Sequence, residues 1–401
     1  MRLERRPELG HLTYCTNIHP GESWPEVQAA LERHLPAVRR EALPGRPFGV
    51  GLRLAARAAE ALSAPAALEE LQALLAANDS YVFTINGFPY GPFHGRPVKE
   101  QVYQPDWRHE ERVAYSNRLA DLLAALLPDD AGLAGSVSTV PGTFKPLAAE
   151  PGAIEEIARN LIGHVAHLVA LERATGRTIA LALEPEPYCF LETIDETVRF
   201  FERHLFGAAG VRQLSGLAGL AGSAAEQALR RHLGVCYDVC HAAVEYEDAA
   251  GSLAALRAAG IAVPKLQLSA ALRIAAVGPE TAAQLRPFDE PVYLHQVIER
   301  RNGALTRHLD LPNALAGIEK SLGSEWRVHF HVPIFLAELQ DFSTTQAFLR
   351  EILSLHRADP VSQHLEVETY TWDVLPERYR QVDVACAIAR ELAWVREQLD
   401  A

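Results

Sequence analysis

The chain has 401 residues, of which 48% are hydrophobic, so it can bury a large core without disulfides or structural metals as cross-links. Acidic residues outnumber Lys and Arg by 51 to 38, and the net charge of −13 repels a phosphate backbone, which argues against nucleic acid as a partner. The five cysteines lack paired CxxC spacing, and the amino terminus lacks the apolar stretch of a secretory signal. Because no run of about 20 apolar residues occurs either, we expect a cytoplasmic protein without a membrane span.

Short apolar segments alternate with longer Ala- and Leu-rich segments of helical period along the whole chain. The strand-like segments are residues 11–17, 47–54, 80–86, 135–140, 178–186, 233–239, 264–269, 326–332 and 364–370. The helical candidates lie around residues 24–40, 66–77, 107–127, 153–175, 193–204, 224–232, 242–259, 313–321, 343–356 and 381–399. This alternation is typical of a parallel sheet with crossover helices.

The repeated units favour a closed (β/α)8 TIM barrel within the α/β class, because no Gly-rich dinucleotide fingerprint follows the first strand. Nine strands are one too many for such a barrel, and we expect residues 326–332 to lie in an insertion. Residues 288–311 look like an inserted hairpin that turns at Asn302–Gly303. Residues 206–225 are expected to be a flexible surface crossover. No linker divides the chain, so residues 1–401 are predicted to form one domain.

Polar side chains recur at the carboxyl ends of the predicted strands, where barrel enzymes place their active sites. Strands five to seven and the last strand end in Glu186, Asp238, Gln267 and Glu368. Carboxylates gathered at close range repel one another, and a divalent cation relieves that repulsion. Oxygen donors favour Mg²⁺ or Mn²⁺, whereas Zn²⁺ would call for more imidazoles. Simpler interpretations stay open, since Asp238 could only cap the next helix and Glu186 could pair with an arginine.

Other polar residues could orient a substrate near these strand ends. His19, Asn17, Asn86 and Lys265 are candidates for binding substrate hydroxyls. His329 and His331 form an HxH motif whose imidazoles point the same way in an extended segment, so they could hold a second metal or touch substrate. A buried, hydrogen-bonded pair of histidines fits that motif equally well.

Several of these motifs together resemble those of a known superfamily. The run E186-PYCFL-E192, the run D238-VC-H241, Gln267 and the pair E368-T369 are similar to motifs of the xylose isomerase-like TIM barrels. That superfamily includes sugar isomerases and epimerases, hydroxypyruvate isomerase, inosose dehydratase and the family-two apurinic endonucleases.

The resemblance implies that Glu186, Asp238, Gln267 and Glu368 hold one Mg²⁺ or Mn²⁺. It also implies that Glu192 and His241 contact substrate hydroxyls. Many members have a histidine where this chain has Gln267, and the glutamine resembles the hydroxypyruvate isomerase and inosose dehydratase types. Some branches hold a second metal with an aspartate-containing pair, and the absence of that aspartate beside His331 puts a second metal in doubt.

Longer segments resemble the bacterial EboE type of metabolite traffic protein. They are residues 12–24, 82–95, 263–272, 293–311 and 329–335. This resemblance implies a cyclitol or related polyol as substrate in an Ebo-type metabolite pathway.

Together these features predict a divalent-metal-dependent isomerase, epimerase or dehydratase acting on a sugar, cyclitol or related polyol. Glu186 and Glu368 would move a proton at a C–H beside a carbonyl, as base and acid, through an enediolate-type step. One alternative is a non-catalytic protein that binds or delivers a metabolite on the same scaffold. Another is a metal-dependent phosphodiesterase of the apurinic endonuclease type, against which the acidic charge counts. Association into a homo-oligomer stays open.

Overall fold

The computed structural model describes residues 1–130 and 132–400. Its strands are β1 (His11–Tyr14), β2 (Phe48–Arg53), β3 (Ser80–Asn86), β4 (Gly135–Thr139), β5 (Ile179–Leu183), β6 (Leu233–Asp238), β7 (Ala262–Leu268), β8 (Leu272–Ile274), β9 (Val297–Arg301), β10 (Ala304–His308), β11 (Glu325–Val328), β12 (Glu338–Leu339), β13 (Phe342–Thr344) and β14 (His364–Val367). Its helices are α1 (Trp24–Ala42), α2 (Ala56–Leu62), α3 (Pro65–Ala77), α4 (Glu110–Leu126), α5 (Ala153–Thr175), α6 (Ile194–Phe200), α7 (Ala208–Ala218), α8 (Gly222–His232), α9 (Val239–Val244), α10 (Ala249–Ala258), α11 (Thr281–Leu285), α12 (Leu311–Leu315), α13 (Gln346–Ala358) and α14 (Val384–Asp400).

Eight parallel strands form a nearly closed barrel. Their order is β1-β14-β7-β6-β5-β4-β3-β2, so the strands from β2 to β7 pair with their neighbours in the chain, and β14 lies between β7 and β1. A parallel bridge between Cys15 and Gly51 joins the two ends of this order. Gly51 leaves room at that seam, since a Cβ there would lie 2.9 Å from the Tyr14 carbonyl oxygen and would overlap the Glu366 carboxylate. The (β/α)8 barrel predicted from the sequence is confirmed.

The ninth predicted strand belongs to an insertion between β7 and β14, as expected. Six strands form a second, antiparallel sheet in the order β10-β9-β11-β8-β13-β12, and β11 contains the residues that begin the 326–332 segment. The hairpin of β9 and β10 turns at Asn302 and Gly303, whose φ angles of 50° and 83° suit a two-residue turn. The insertion is therefore larger than the hairpin predicted at 288–311.

The expectation of a flexible crossover over residues 206–225 is wrong. This segment contains α7 and the start of α8, and Leu214 of α7 is fully buried. Its glycines suggested a loop, but Gly210 instead permits close packing, because a Cβ there would lie 2.2 Å from the Leu205 carbonyl oxygen. Gly219, with a φ of 63°, ends the helix.

One continuous cluster of buried apolar side chains extends through the barrel and the inserted sheet, from Leu12 in β1 to Trp326 in β11. Within residues 1–130 and 132–400, no helix is both long enough and apolar enough to cross a bilayer. The insertion follows directly from the carboxyl end of β7, so it covers the barrel mouth where the polar strand ends lie.

Candidate active site

Strand register brings three polar residues into one layer of the barrel. Gln267 is the Cα partner of Asp238 on one side and of Glu366 on the other. Glu368 lies two residues beyond Glu366, and Glu184 directly follows β5. Because all eight strands run parallel, these side chains gather at the carboxyl end of the barrel.

Glu184, Asp238 and Glu368 form a carboxylate cluster. One oxygen from each lies within 4.8 Å of the other two, and all three residues are buried. Burial and repulsion from Glu368 and Asp238 raise the pKa of Glu184 well above its ordinary value, and burial raises that of Asp238. Glu184 Oε2 and Asp238 Oδ2 have no hydrogen-bond partner within the described part of the chain. The cluster therefore gathers three buried carboxyl groups, two of which present an oxygen that no described residue engages.

Neighbouring groups hold the other oxygens of this cluster in place. Asp238 Oδ1 accepts hydrogen bonds from the His241 backbone N–H at 2.9 Å and from the Ser269 hydroxyl at 2.8 Å. Asp238 is thus the N-cap of α9, as one simpler interpretation held, while its second oxygen remains available. Glu368 Oε1 accepts from the side-chain amides of Asn17 at 2.5 Å and Asn86 at 3.1 Å.

Glu186 groups with two histidines and not with the carboxylate cluster. One ligand atom from each of Glu186, His241 and His329 lies within 4.8 Å of the others. Glu186 Oε1 accepts a hydrogen bond from the Tyr103 hydroxyl at 2.8 Å, and the Gln296 amide lies 3.4 Å away. Burial raises the pKa of Glu186 to about 8, although those two hydrogen bonds lower it. The carboxyl can therefore hold or release a proton near neutral pH.

His241, His329 and His331 direct bare nitrogens into the same region. Their Nδ1 atoms donate to the Pro185 carbonyl at 3.0 Å, the Gln296 side-chain oxygen at 2.7 Å and the Glu368 carbonyl at 2.8 Å, respectively. Each neutral ring then carries its proton on Nδ1, which leaves Nε2 as a lone pair. Burial lowers the pKa of His241 to about 3 and that of His331 to about 4, so a second proton is disfavoured.

Two of these lone pairs face each other. The Nε2 atoms of His241 and His329 are 3.0 Å apart, and neither nitrogen has a proton to donate. His331 Nε2 is buried without a hydrogen-bond partner among residues 1–130 and 132–400. A contact between two acceptors is unfavourable unless a cation or an additional proton comes between them. The arrangement therefore suits a cation with imidazole ligands.

Lys265 lies deeper in the barrel than the predicted substrate contacts. Its Nζ is 2.5 Å from Glu366 Oε2 and 3.3 Å from the Ser138 hydroxyl, and both charged side chains are fully buried. Burial alone would lower the pKa of Lys265, but the Glu366 carboxylate raises it, so the ammonium stays charged. Lys265 thus supplies a positive charge beneath the carboxylate cluster.

Two other predicted contacts lie away from the cluster. His19 stacks on His34 with ring centroids 4.1 Å apart and lines a separate small cavity. Glu192 forms ion pairs with Lys145 and with Arg307 of the inserted hairpin. The geometry therefore connects Glu192 to the rim of the barrel.

A cavity opens above the cluster. Of the predicted residues, those that line it are Asn17, Asn86, Glu186, His241, His329 and Glu368. Sequence reasoning did not select Glu184, Tyr103 or Gln296, which belong to the same site. Glu184 and Glu186 stand together in the run Glu184-Pro185-Glu186-Pro187. Tyr103 instead ends a short 3-10 helix, and Gln296 lies in an irregular segment before β9, and neither segment carries a periodic signal.

No protein-family model matches this chain, and no curated protein does. Solved structures with similar folds include the probable 3-DHS dehydratase AsbF from Bacillus anthracis, at 12% identity over 96% of this chain and 97% of that one, with a TM-score of 0.46. They also include a xylose isomerase domain protein from Planctomyces limnophilus, at 15% identity over 88% and 89%, with a TM-score of 0.45. The IolI protein with a bound zinc atom is 14% identical over 97% and 98%, with a TM-score of 0.42. Likeness at this level carries no information about activity.

Proposed function

We propose that this chain is a divalent-metal-dependent isomerase, epimerase or dehydratase of a sugar, cyclitol or related polyol. The observation that carries the proposal is the cluster of Glu184, Asp238 and Glu368, in which Glu184 Oε2 and Asp238 Oδ2 have no hydrogen-bond partner among the described residues. In this proposal Glu184, which groups with Asp238 and Glu368, is the metal ligand from the end of β5 in place of Glu186. The long segments similar to EboE-type proteins support a cyclitol as one candidate substrate.

The donors of the cluster fit a hard divalent cation. Three carboxylates bring negative charge and oxygen ligands, and the Gln267 side chain lies in the same layer as a neutral oxygen donor. Mg²⁺ and Mn²⁺ prefer such oxygens. When bound, the cation would act as a Lewis acid that stabilises negative charge developing on substrate oxygens.

Glu186 is suited to move the substrate proton. Its pKa of about 8 allows both protonation states near neutral pH, and the Tyr103 hydroxyl fixes one of its oxygens at 2.8 Å. Glu186 lines the cavity, where it can take a proton from a C–H beside a carbonyl and return it to the neighbouring carbon. Asn17 and Asn86 hold Glu368 by hydrogen bonds, so that carboxylate keeps a fixed position.

We further propose that the three histidines hold a second cation. Nitrogen donors favour Zn²⁺ over Mg²⁺, and His241, His329 and His331 offer three bare Nε2 atoms. These histidines lie two at a time within 4.8 Å of one further ligand atom, which comes from Glu186, Cys240 or Asp238. The HxH motif would then bind metal without the aspartate that some branches of the superfamily use.

The test of the proposed function is exchange of a substrate C–H with solvent deuterium. The Mn²⁺-loaded protein is incubated in D₂O with ketoses, aldoses and keto-cyclitols, and mass spectrometry follows deuterium incorporation. We expect exchange into at least one compound, its loss in Glu186→Gln, and its retention in Glu319→Gln, a matched change at an exposed position. Binding without exchange in any compound would support the non-catalytic carrier and overturn the enzymatic proposal.

A further inference from the structure

The cavity above the carboxylate cluster has an apolar upper wall. Phe93, Val98 and Val102 come from the segment between β3 and α4, and Tyr293 and Leu294 come from the inserted segment before β9. Tyr370 follows β14 and packs against Phe93 and Tyr293 with ring centroids 5.2 and 5.0 Å away. Aromatic and aliphatic carbons therefore face the space through which a ligand reaches the carboxylate cluster. The residues of that cluster that line the cavity, with Asn17, form its polar floor.

Two polar groups of this wall, on Lys99 and Tyr293, are engaged by the protein. Lys99 Nζ forms an ion pair with Asp310 Oδ2 at 2.6 Å. The Tyr293 hydroxyl lies 3.0 Å from His94 Nδ1, and it donates there because His94 Nε2 donates to the Asn17 carbonyl at 2.6 Å. The wall thus offers its carbon surface to a ligand and keeps the Lys99 ammonium and the Tyr293 hydroxyl for internal bonds.

The floor of the cavity has the opposite character. Glu184 Oε2 and Asn17 Oδ1 are buried polar atoms without hydrogen-bond partners among the residues that the structure describes. Buried polar atoms of this kind are costly unless a ligand or ion satisfies them. The buried polar atoms that need a partner therefore lie on the floor of the cavity, whereas the apolar surface lies on its wall.

The wall is preformed by bonds between its two segments. The backbone N–H groups of Val98 and Lys99 donate to the Val292 carbonyl at 2.7 and 3.2 Å. Since the wall is already assembled, an apolar ligand group would gain contact there without the cost of ordering a loop.

We propose that the ligand is an uncharged amphiphile, with a hydroxylated head on the polar floor and an apolar substituent against this wall. The head group rests on the proposed function, whereas the substituent rests on the wall alone. Among the described lining residues, Lys99 is the one with an ammonium or guanidinium group, and Asp310 neutralises it. A phosphorylated head would meet Glu184, Glu186 and Glu368 with no free cationic side chain, so sugar phosphates are disfavoured.

Matched probes test this inference by calorimetry on the Mn²⁺-loaded protein. Glucose, xylose and myo-inositol are compared with their monohexyl ethers or glycosides and with their monophosphates. At least one hexyl derivative is expected to bind about tenfold or more tightly than its parent, since burial of two of the six carbons suffices for that gain. The phosphates are expected to bind no better than the parents. Failure of every hexyl derivative to bind more tightly than its parent, including no detectable binding by any of them, would overturn the inference.

A variant locates the gain on the wall. The hexyl advantage is the ratio of the affinity of a hexyl derivative to that of its parent compound. Leu294→Ser is expected to reduce this ratio roughly threefold or more, while the affinity for the parent compound is retained. Leu217→Ser, at a leucine that is 58% exposed on α7, is the matched control and should change neither. Circular dichroism checks that both variants fold, and Val102→Ser replaces Leu294→Ser if the latter does not. An unchanged hexyl advantage in a folded wall variant contradicts the assignment.

The outcomes separate this inference from the proposed function. Deuterium exchange without any hexyl advantage would leave the enzymatic proposal standing and overturn the amphiphilic ligand. Tighter binding of a hexyl derivative without deuterium exchange in any compound would support the amphiphilic ligand and overturn the enzymatic proposal.

Discussion

Replacement of Glu368 by glutamine separates what this carboxylate contributes to binding from what it costs the fold. Burial, together with repulsion from Asp238 and Glu366, raises the pKa of Glu368 from 4.5 to about 8. A carboxyl with a raised folded-state pKa costs nothing below its unfolded pKa and destabilises the fold progressively as the pH rises to the folded pKa. At 1.36 kcal/mol per unit, the cost is roughly 1 kcal/mol at about pH 5.5 and approaches ~5 kcal/mol at about pH 8. Because neighbouring carboxyls share protons, we expect the variant to recover about 2–4 kcal/mol at the higher pH.

Urea unfolding with a chelator present measures this effect at both pH values. Glutamine retains an oxygen that can accept from Asn17 and Asn86, so the variant should keep its local geometry. We expect the metal-free variant to unfold at higher urea than the wild type near pH 8 and at similar urea near pH 5.5. Added Mn²⁺ should stabilise the wild type and not the variant. A variant that is less stable near pH 8, or that keeps the pH dependence of the wild type, would refute the reasoning, and Glu319→Gln serves as the control.

Three further predictions follow from single contacts. Lys265→Met removes the ion-pair partner of the buried Glu366 and should cost about 3–5 kcal/mol in urea unfolding, most of which Lys265→Met/Glu366→Gln recovers. Equal stability of the single and the double variant would contradict a role for the pair. Tyr103→Phe removes a hydrogen bond that lowers the pKa of Glu186, so the pH profile of deuterium exchange should move upward, and an unshifted profile would contradict that assignment. His329→Ala should weaken Zn²⁺ binding by roughly tenfold or more in calorimetry, because the Nε2 atom of His329 faces that of His241. The affinity for Mn²⁺ should be preserved. Parallel loss of both affinities would argue for one shared site.

Alternation of apolar and helical segments was enough to predict the barrel and to assign its surplus strand to an insertion. A barrel accepts eight strands, so the ninth had to lie elsewhere. The helix over Ala208–Ala218 does not emerge from the sequence pattern, because a segment with several glycines resembles a loop. Gly210 meets a packing requirement set by the Leu205 carbonyl, which no local pattern reveals.

The candidate site also has a part that the sequence pattern predicts and a part that it does not. Alternation along a strand puts Glu184 and Glu186 on the same face, and it cannot decide which of them meets Asp238. The chain path decides, because the Glu184 backbone N–H still bonds across the sheet to the Thr139 carbonyl, whereas that of Glu186 bonds within its own loop to the Leu191 carbonyl. Long-range geometry of this kind is absent from the local sequence pattern.

Titration of the metal-free protein with Mn²⁺, followed by electron paramagnetic resonance of the free ion, tests most directly whether the carboxylates converge on a cation. Wild-type protein should bind Mn²⁺ at the carboxylate cluster, and Glu184→Gln should weaken that binding by roughly a hundredfold, since it removes one of three charged ligands. Glu319→Gln should bind as the wild type does. Equal affinity of the wild type and Glu184→Gln, or no binding by either at millimolar Mn²⁺, would contradict the account.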